Sequence, residues 1–349
     1  MYKTRKAYKE MSNKPKIAVL LNTQMKNNCI STEDYIRLNT FADVRFEDTP
    51  KLSTELMLKL SSGADALLTG WSTPVITPEV LTSAPSLKMI AHSAGSVKVM
   101  LAQVKDVLIQ NNVVVTNANT ALGIGVAEFT LGMMLTTMKR AWWLCKNTVN
   151  GRWMDENERK KVVEPYGAVI GIIGASRVGR HLIKLLKNFD LKEILVYDPY
   201  LTLDDANNLG VRKVELEELL KTADVVTLHA PSTEETKHML GLHEFAMMKE
   251  NAIFINTARG AIVNEPEMIE ELKRGRITVC IDVTDPEPPK PDNSLRSLPN
   301  VILTPHIAGA VAQNRLRNGR DVIDDLERYF MKNEKVQYPV NLTHWDRLA

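Results

Sequence analysis

Short apolar runs alternate with longer amphipathic stretches along almost the whole chain. This alternation is typical of an α/β protein, in which helices join the strands of parallel sheets. The length of 349 residues suggests two domains, because one hydrophobic core rarely serves a chain of that size. We predict a first series of strands at Lys16–Leu21, Ala66–Thr69, Lys88–His92 and Asn112–Asn117. We predict a second series at Ala168–Ile173, Glu193–Asp198, Val225–His229, Ala252–Thr257, Ile277–Val283 and Val301–Thr304.

Two helical segments help to place the domains. Gly125–Met138 is apolar on nearly every side, so we expect a helix buried between domains or between subunits, with a domain boundary just before it. After His306 the spacing of apolar residues predicts one more helix. Its apolar face consists of Leu316, Gly319, Ile323, Leu326 and Phe330. Only about 40 residues follow His306, too few for another domain, so we expect this helix to return to the N-terminal domain.

The charge balance argues against nucleic acid as a partner. The 44 Lys and Arg residues nearly match the 42 Asp and Glu residues and are scattered, whereas phosphate binding needs a concentrated positive surface. No apolar run approaches the roughly 18 residues of a membrane helix, so we expect no membrane partner. We interpret the polar, basic start Met1–Lys14 as a loose tail, with a short targeting segment as the alternative.

The cysteines indicate neither a metal site nor a disulfide framework. Cys29, Cys145 and Cys280 lie far apart without metal-type spacing. We therefore expect no metal, and a reducing cytoplasm is the simplest location. Cys280 lies in a short apolar run and is predicted to be a buried strand residue.

The segment Ala168–Arg180 combines a buried strand, a tight turn and the start of a helix. Its pattern Gly174-x-Ser176-x-x-Gly179 nearly matches the fingerprint of a dinucleotide-binding loop. In that loop small residues let backbone N–H groups at a helix N-terminus meet a pyrophosphate. Ser176 replaces the middle glycine, and an ordinary strand-to-helix turn is the alternative interpretation.

Asp198 strengthens the dinucleotide interpretation. It ends the next predicted strand, 19 residues after Gly179, where an acidic side chain holds ribose hydroxyls. A carboxylate there also repels a 2′-phosphate, so the sequence favours NAD over NADP. For Asp198 taken alone, a turn residue before Pro199 is the alternative.

Three later segments end predicted strands at the edge where an open α/β sheet binds ligands. They leave Arg259, Glu287 and His306 able to point into a common crevice. The fork of Arg259 can bind a carboxylate, and His306 can donate a proton near neutral pH. Glu287 would favour the protonated ring and fix its orientation. Together they fit 2-keto acid reduction, although each alone is more often structural.

Four motifs carry a resemblance to a known family. They are Val225–Pro231, Asn256–Gly260, Asp282–Pro288 and Thr304–Gly309. In the same order and spacing, they resemble the D-isomer-specific 2-hydroxyacid dehydrogenases. The likeness covers Leu87–Gly309 well and roughly the first 80 residues only loosely.

The resemblance implies an α/β fold of two Rossmann-like or flavodoxin-like parallel-sheet domains. The NAD domain, residues 119–310, would be inserted into a substrate domain of residues 1–118 and 311–349, with the catalytic cleft between them. The implied activity is the NAD-dependent interconversion of a small 2-keto acid and its D-2-hydroxy acid, with glyoxylate, hydroxypyruvate or phosphoglycerate-like substrates all open. Family members are usually dimers, built largely through a helix like the one starting at Gly125.

The resemblance also implies roles for single residues. His306 would be the acid/base, Glu287 its carboxylate partner, and Arg259 the substrate-carboxylate anchor together with the backbone of Ala94 and Gly95. The cofactor-binding residues would be Gly174, Ser176, Arg177, Val178, Gly179, Asp198, His229, Ala230, Pro231, Thr257, Ala258, Arg259, Asp282, His306 and Gly309. Within that set Arg177 and Val178 would hold the pyrophosphate, Asp198 the adenosine ribose, and Asp282 the nicotinamide carboxamide.

Some features leave alternatives open. Ser176 departs from the family glycine, and the loop Ser93–Lys98 lacks the acidic pattern that usually follows it. Trp71 could face the substrate or merely pack. An NAD-sensing binding protein of the corepressor kind and a phosphite dehydrogenase are the rival functions. Because the sequence ends at Ala349, we expect no long regulatory domain of the phosphoglycerate dehydrogenase kind.

Overall fold

The computed structural model describes residues 14–348. Apart from Lys14, the predicted tail Met1–Lys14 lies outside these described residues. The chain divides into two compact units. The first unit ends at Leu122 and resumes at Ala310, and the second unit is Gly123–Gly309.

Each unit is built on one parallel sheet. The strands of the first unit are β1 (Lys16–Val19), β2 (Asp43–Arg45), β3 (Ala66–Thr69), β4 (Met89–His92) and β5 (Val114–Asn117). Those of the second unit are β6 (Val169–Ile173), β7 (Glu193–Tyr197), β8 (Arg212–Lys213), β9 (Val225–Leu228), β10 (Ile253–Asn256), β11 (Thr278–Ile281) and β12 (Val301–Leu303). The strand orders are β2-β1-β3-β4-β5 and β12-β11-β10-β9-β6-β7-β8. The predicted fold class, two parallel-sheet α/β domains, is confirmed.

Helices connect most of the successive strands, as is usual between parallel strands. They are α1 (Thr23–Cys29), α2 (Thr32–Phe41), α3 (Thr54–Ser61), α4 (Pro78–Ser83), α5 (Lys98–Leu101), α6 (Lys105–Gln110), α7 (Asn119–Met138), α8 (Ala141–Val149), α9 (Glu156–Arg159), α10 (Arg177–Leu186), α11 (Leu203–Leu209), α12 (Leu216–Thr222), α13 (Leu242–Met247), α14 (Glu265–Lys273) and α15 (Ala312–Glu327). Polar side chains cap several N-termini: Asn22 accepts from the N–H of Met25, and Ser53 accepts from that of Leu56.

The ten predicted strands are all present, with ends within two residues of the predicted ones. Two further strands, β2 and β8, were not predicted. Each lies at an edge of its sheet and is only three or two residues long. Both are partly exposed and consist mostly of charged residues, so no apolar run marks them in the sequence.

The central strands are buried on both faces. Every residue of β3, β4, β9 and β10 is buried, as expected of parallel strands covered by helices. Helix α15 lies in the first unit and packs against α1. Gly319 approaches the carbonyl of Cys29 so closely that a Cβ would overlap it, so only glycine fits this helix crossing.

Helix α7 has the length and composition that a membrane span would need. It spans 20 residues with a mean hydropathy of 1.4, although Gly, Thr and the charged Glu128 interrupt its apolar residues, so it contains no continuous apolar run of the kind considered in the sequence. Core helices of soluble proteins pass the same test, and 44% of the apolar window is buried within the chain.

Candidate functional site

The glycine-rich segment after β6 forms a tight turn that packs against the segment after β9. Gly174 has a φ of +95°, and a Cβ there would lie 2.6 Å from the backbone nitrogen of Ala230. A Cβ on Gly179 would overlap the carbonyl of Gly174. Both glycines are therefore required sterically, and they leave the N-terminus of α10 open to a ligand.

Ser176 is the N-cap of α10. Its hydroxyl accepts from the N–H of Gly179 at 3.4 Å. Serine is among the preferred N-cap residues, so its replacement of the family glycine keeps the turn and satisfies one helix N–H. Its O–H hydrogen is left to donate to a phosphate oxygen.

Asp198 lies beside this turn at the end of β7. One carboxylate oxygen accepts from the N–H of Ala175 and the other from the N–H of Tyr200, both at 2.8 Å. Each oxygen of an ionised carboxylate can accept a further hydrogen bond. Asp198 thus holds the turn in place and keeps acceptor capacity for sugar hydroxyls.

His229 contributes a buried polar atom that has no protein partner. Its Nε2 is 2.9 Å from the hydroxyl of Thr227, while its buried Nδ1 has no hydrogen bond within the described residues. Burial lowers the pKa of His229 to about 3, so the ring is neutral. The glycine turn, Asp198 and this unsatisfied nitrogen together fit a dinucleotide lying across the carboxyl ends of β6, β7 and β9.

The loop that carries Arg259 is shaped by its neighbours. The side chain of Asn256 accepts from the N–H of Ala258 at 3.0 Å and donates to the carbonyl of Arg259 at 3.1 Å. A Cβ on Gly260 would overlap the carbonyl of Thr284, so the loop must lie flat against the segment that leads to Glu287. Sequence reasoning missed Asn256, although its position at a strand end was the available signal.

Arg259 and Glu287 lie within electrostatic reach of each other. Desolvation lowers the pKa of the Arg259 guanidinium, and Glu287 opposes that change. The side chain nevertheless remains exposed, with one nitrogen 2.6 Å from the carbonyl of Ala258. Because the ordinary pKa of an arginine guanidinium is far above 7, Arg259 stays a cation that can bind an anion.

His306 and Glu287 meet as predicted from their chemistry. The Nδ1 of His306 is 2.5 Å from Oε1 of Glu287, and both side chains are more than 40% exposed (45% and 42%). A cavity of about 380 Å³ opens beside them, with Thr284 and Arg296 in its lining. Since Nδ1 is engaged by Glu287, Nε2 is the ring nitrogen that a substrate can reach.

Asp282 fixes the loop that carries His306. This buried carboxylate accepts from the N–H groups of Ile307 and Ala308, both at 2.9 Å, and from the hydroxyl of Thr304 at 2.5 Å. His306 itself has a φ of +51°, a conformation that a non-glycine residue holds only when its surroundings impose it. Asp282 therefore has a positioning role that the sequence did not indicate.

In the first unit, Ala94 and Gly95 follow β4. Their N–H groups donate to no acceptor within residues 14–348. The carbonyl of Ala94 accepts from Ala118, and the Ser93 hydroxyl donates to the carbonyl of Thr69 at 2.8 Å, so the loop is held from both sides. Two free, adjacent N–H groups form a suitable site for a carboxylate.

The structure thus brings the predicted residues together in two groups, one per unit. In the second unit the dinucleotide-type turn and the Arg259, Glu287 and His306 group occupy the carboxyl edge of one sheet. Pro231 and Gly309 lie in the loops that follow β9 and β12 at the same edge. Thr257 lies in the same edge, with its hydroxyl 3.0 Å from that of Thr130. Nothing in residues 14–348 forms a group of three or more His, Cys, Asp or Glu suited to a metal.

The chain is similar in sequence to several known proteins. Residues 131–308 match the family described as "D-isomer specific 2-hydroxyacid dehydrogenase, NAD binding domain". The chain is 34% identical over 293 residues to D-3-phosphoglycerate dehydrogenase of Methanocaldococcus jannaschii, covering 83% of this chain and 54% of that protein. It is 32% identical over 302 residues to glyoxylate reductase of Korarchaeum cryptofilum, covering 86% and 88% of the two chains.

The chain spans little more than half the length of the phosphoglycerate dehydrogenases that it matches, 54% and 57% in two archaeal examples. Among solved structures, a phosphoglycerate oxidoreductase from Rhizobium etli superposes with a TM-score of 0.79 at 22% identity, over 93% of this chain and 98% of that one, which supports the fold. The motif resemblance is confirmed by these matches. The chain belongs to the family of D-isomer-specific 2-hydroxyacid dehydrogenases and carries the NAD-binding domain of that family.

Proposed function

We propose that this protein is an NAD-dependent oxidoreductase that interconverts a small 2-keto acid and its D-2-hydroxy acid. The observation that carries the proposal is the hydrogen bond between His306 and Glu287. Gly260 packs closely against Thr284, so the loop that carries Arg259 lies against the segment that leads to Glu287. An acid/base pair next to a carboxylate-binding cation is what this reaction needs. The glyoxylate reductase and phosphoglycerate dehydrogenase names of its relatives support the same class of substrate.

Each residue of the site has a distinct part in the proposed reaction. Arg259 in the second unit would bind and orient the substrate carboxylate, and the N–H groups of Ala94 and Gly95 in the first unit are also proposed to bind a carboxylate. His306 would donate its proton from Nε2 to the keto oxygen and take it back in the reverse direction, while Glu287 holds the ring by Nδ1. NADH, when bound, supplies the hydride.

The cofactor would be held by the second unit, and the first would provide the substrate domain. The turn Gly174–Gly179 with Arg177 and Val178 would hold the pyrophosphate, Asp198 the ribose, and Asp282 the carboxamide with the acceptor capacity left to it. His229 to Pro231, Thr257, Ala258 and Gly309 would line the same groove. We assign residues 119–310 to the NAD domain, and residues 1–118 and 311–349 to the substrate domain.

Cofactor preference tests the role of Asp198. We expect NADH to be used more efficiently than NADPH, and Asp198→Ala to reduce that preference by about tenfold or more. The substitution removes charged hydrogen bonds to the ribose and the repulsion of a 2′-phosphate. The measurement is the ratio of kcat/KM for the two cofactors, with Asp204→Ala as an exposed acidic control. Equal use of both cofactors by the unmodified protein would contradict this assignment.

We further propose that the protein is a cytoplasmic homodimer without nucleic acid or membrane partners. The support for a dimer comes from the segment after α7, which exposes large apolar side chains. Val149 and Trp153 are 81% and 80% exposed, and Trp142 is 49% exposed. Phe129 on α7 is only half-buried in a single chain. Large apolar side chains grouped in one segment mark an interaction surface, and a second copy would also bury the exposed part of α7.

The dimer has a direct test. Trp153→Glu should convert a dimer into a monomer at micromolar concentration, because a buried unpaired charge opposes association. Leu203→Glu is the matched control, since Leu203 is 71% exposed in the same unit but lies outside that segment. Molar mass from light scattering distinguishes the states. A wild-type chain that is monomeric throughout the concentration range would overturn the proposal.

A panel of 2-keto acids separates the proposed function from its rivals. We expect NADH oxidation with at least one of glyoxylate, hydroxypyruvate, pyruvate and 3-phosphohydroxypyruvate, and a D-configured product where the product is chiral. An NAD-sensing binding protein would bind NADH but turn over none of these acids. A phosphite dehydrogenase would instead reduce NAD with phosphite, which is included in the panel.

A further inference from the structure

Trp71 is displayed at the carboxyl end of β3 by a well-fixed turn. The N–H of Thr73 donates to the carbonyl of Gly70 at 3.0 Å, and the Thr73 hydroxyl lies between the N–H of Gly70 and the carbonyl of Leu20, at 2.9 and 2.5 Å. The Ser72 hydroxyl accepts from the backbone at 3.0 Å on the neighbouring β1 side. The turn is therefore rigid, yet its largest side chain, Trp71, remains 42% exposed.

Arg315, near the start of α15, lies over the Trp71 ring. Its guanidinium carbon is 5.6 Å from the ring centroid, and its Nε donates to the carbonyl of Ala310 at 2.7 Å. No carboxylate in residues 14–348 lies within ion-pair distance of Arg315. With Nε engaged and one face against the indole, the two terminal amino groups are presented as a fork suited to an anion.

This Trp71–Arg315 pair adjoins the loop of Ala94 and Gly95. Strands β3 and β4 are neighbours, with Thr69 opposite His92, so the two loops leave the sheet side by side. Burial raises the pKa of the nearby Cys29 thiol to about 11, while Arg315 and a hydrogen bond to Ser93 act in the opposite direction. Arg315 therefore lies in the electrostatic neighbourhood of Ser93, the residue before the two free N–H groups.

A role in stabilising the fold does not account for the contact between Arg315 and Trp71. A cation–π contact at an exposed site contributes only about 0.5–1 kcal/mol, and α15 is already held by its buried face and the Gly319 crossing. An unpaired guanidinium and an exposed indole at the carboxyl edge of a parallel sheet are placed where ligands bind in such folds.

We propose that Arg315, oriented by Trp71, binds a second anionic group on the substrate, so that this protein prefers 2-keto acids whose far end carries a carboxylate or a phosphate. This inference rests on the proposed function, because it names the substrate class of the same site. The free N–H groups of Ala94 and Gly95 serve the carboxylate next to the keto group, and Arg315 serves the far one. Glyoxylate carries no group beyond its aldehyde carbon, so Arg315 does not contribute to its binding.

The test compares four acids that differ at the far end: oxaloacetate with a carboxylate, 3-phosphohydroxypyruvate with a phosphate, 2-ketobutyrate with a methyl group, and glyoxylate with none. For the wild-type chain, kcat/KM should be higher with at least one of the two anionic acids than with 2-ketobutyrate. Which of them is higher tells whether the carboxylate or the phosphate is the natural group. Arg315→Gln should lower the ratio of anionic acid to 2-ketobutyrate by about 10- to 100-fold, the effect of losing charged hydrogen bonds.

Three further variants separate an effect on substrate recognition from an effect on folding. Trp71→Ala should lower the same ratio by a few-fold and Trp71→Phe by less, since a phenyl ring still supports the guanidinium. Arg317→Gln, an exposed arginine of the same helix, is the matched control and should leave the ratio unchanged. An unchanged ratio in Arg315→Gln, or an equal fall with all four acids, would overturn the proposal.

A binding measurement tests the role of Arg315 independently of the proposed catalytic activity. In the presence of NADH, a 2-hydroxy acid cannot react, so calorimetry reports binding alone. Malate should bind the wild-type chain more tightly than 2-hydroxybutyrate does, and Arg315→Gln should abolish the difference. If no keto acid is turned over, the proposed function fails, and equal binding of the two hydroxy acids by the wild-type chain would show that the Arg315 proposal fails as well.

Discussion

Replacing His306 with alanine should lower the rate of 2-keto acid reduction by about 10²–10⁴-fold, the usual range for loss of a general acid. The Nε2 of this ring is the atom left for the substrate, because Nδ1 is 2.5 Å from Glu287. Single-turnover and steady-state rates measure the loss. NADH binding, followed by its fluorescence, should stay close to the wild-type value, and His243→Ala, an exposed histidine of the same unit, serves as the control.

The pH profiles test the pairing of His306 with Glu287. Reduction needs the protonated ring and should fade as pH rises, while oxidation of the hydroxy acid needs the free base and should appear over the same range. Glu287→Gln should lower the rate in both directions, because the ring loses the carboxylate that holds it by Nδ1. Identical pH dependence in the two directions, or unchanged rates in the variant, would contradict the paired roles.

Replacing Arg259 with alanine should cost about 1.5–3 kcal/mol of transition-state binding, or roughly 10- to 100-fold in kcat/KM, because a charged hydrogen bond to the carboxylate is lost. Arg259→Lys should not restore the activity, since a point charge cannot reproduce the two-pronged contact. The Asn256 contacts and the Gly260 packing do not depend on the guanidinium, so the fold should persist. Circular dichroism checks that the variant is folded. Unchanged turnover in a folded Arg259→Ala protein would contradict the role of Arg259 in binding the substrate carboxylate.

The fold could be predicted from the sequence where strands are buried on both faces. The runs at Ala66–Thr69 and Val225–His229 are mostly apolar, and such runs mark central parallel strands. The edge strands Asp43–Arg45 and Arg212–Lys213 carry polar and charged residues, so their pairing depends on neighbours distant in sequence. In α7 the apolar residues are interrupted by Gly, Thr and Glu128, so no continuous apolar run reveals its full length of 20 residues.

The site could be predicted as a set of chemical groups, but not as a set of contacts. The residue types and strand-end positions of Arg259 and His306 are visible in the sequence. The supporting bonds are not, because they join residues far apart in the chain, such as Asp282 with Ile307 and Ala308. The same holds for Trp71 and Arg315, which lie 244 positions apart and are brought together by the return of α15 to the first unit.

The most direct test of the central claim is the fate of a labelled hydride. The protein is incubated in ordinary water with a 2-keto acid that it turns over and with NADH deuterated at the transferable position of the nicotinamide. We predict that mass spectrometry finds one deuterium on C2 of the D-2-hydroxy acid product. A product without deuterium at C2, or the absence of a hydroxy acid product from the whole panel of acids, would contradict the account.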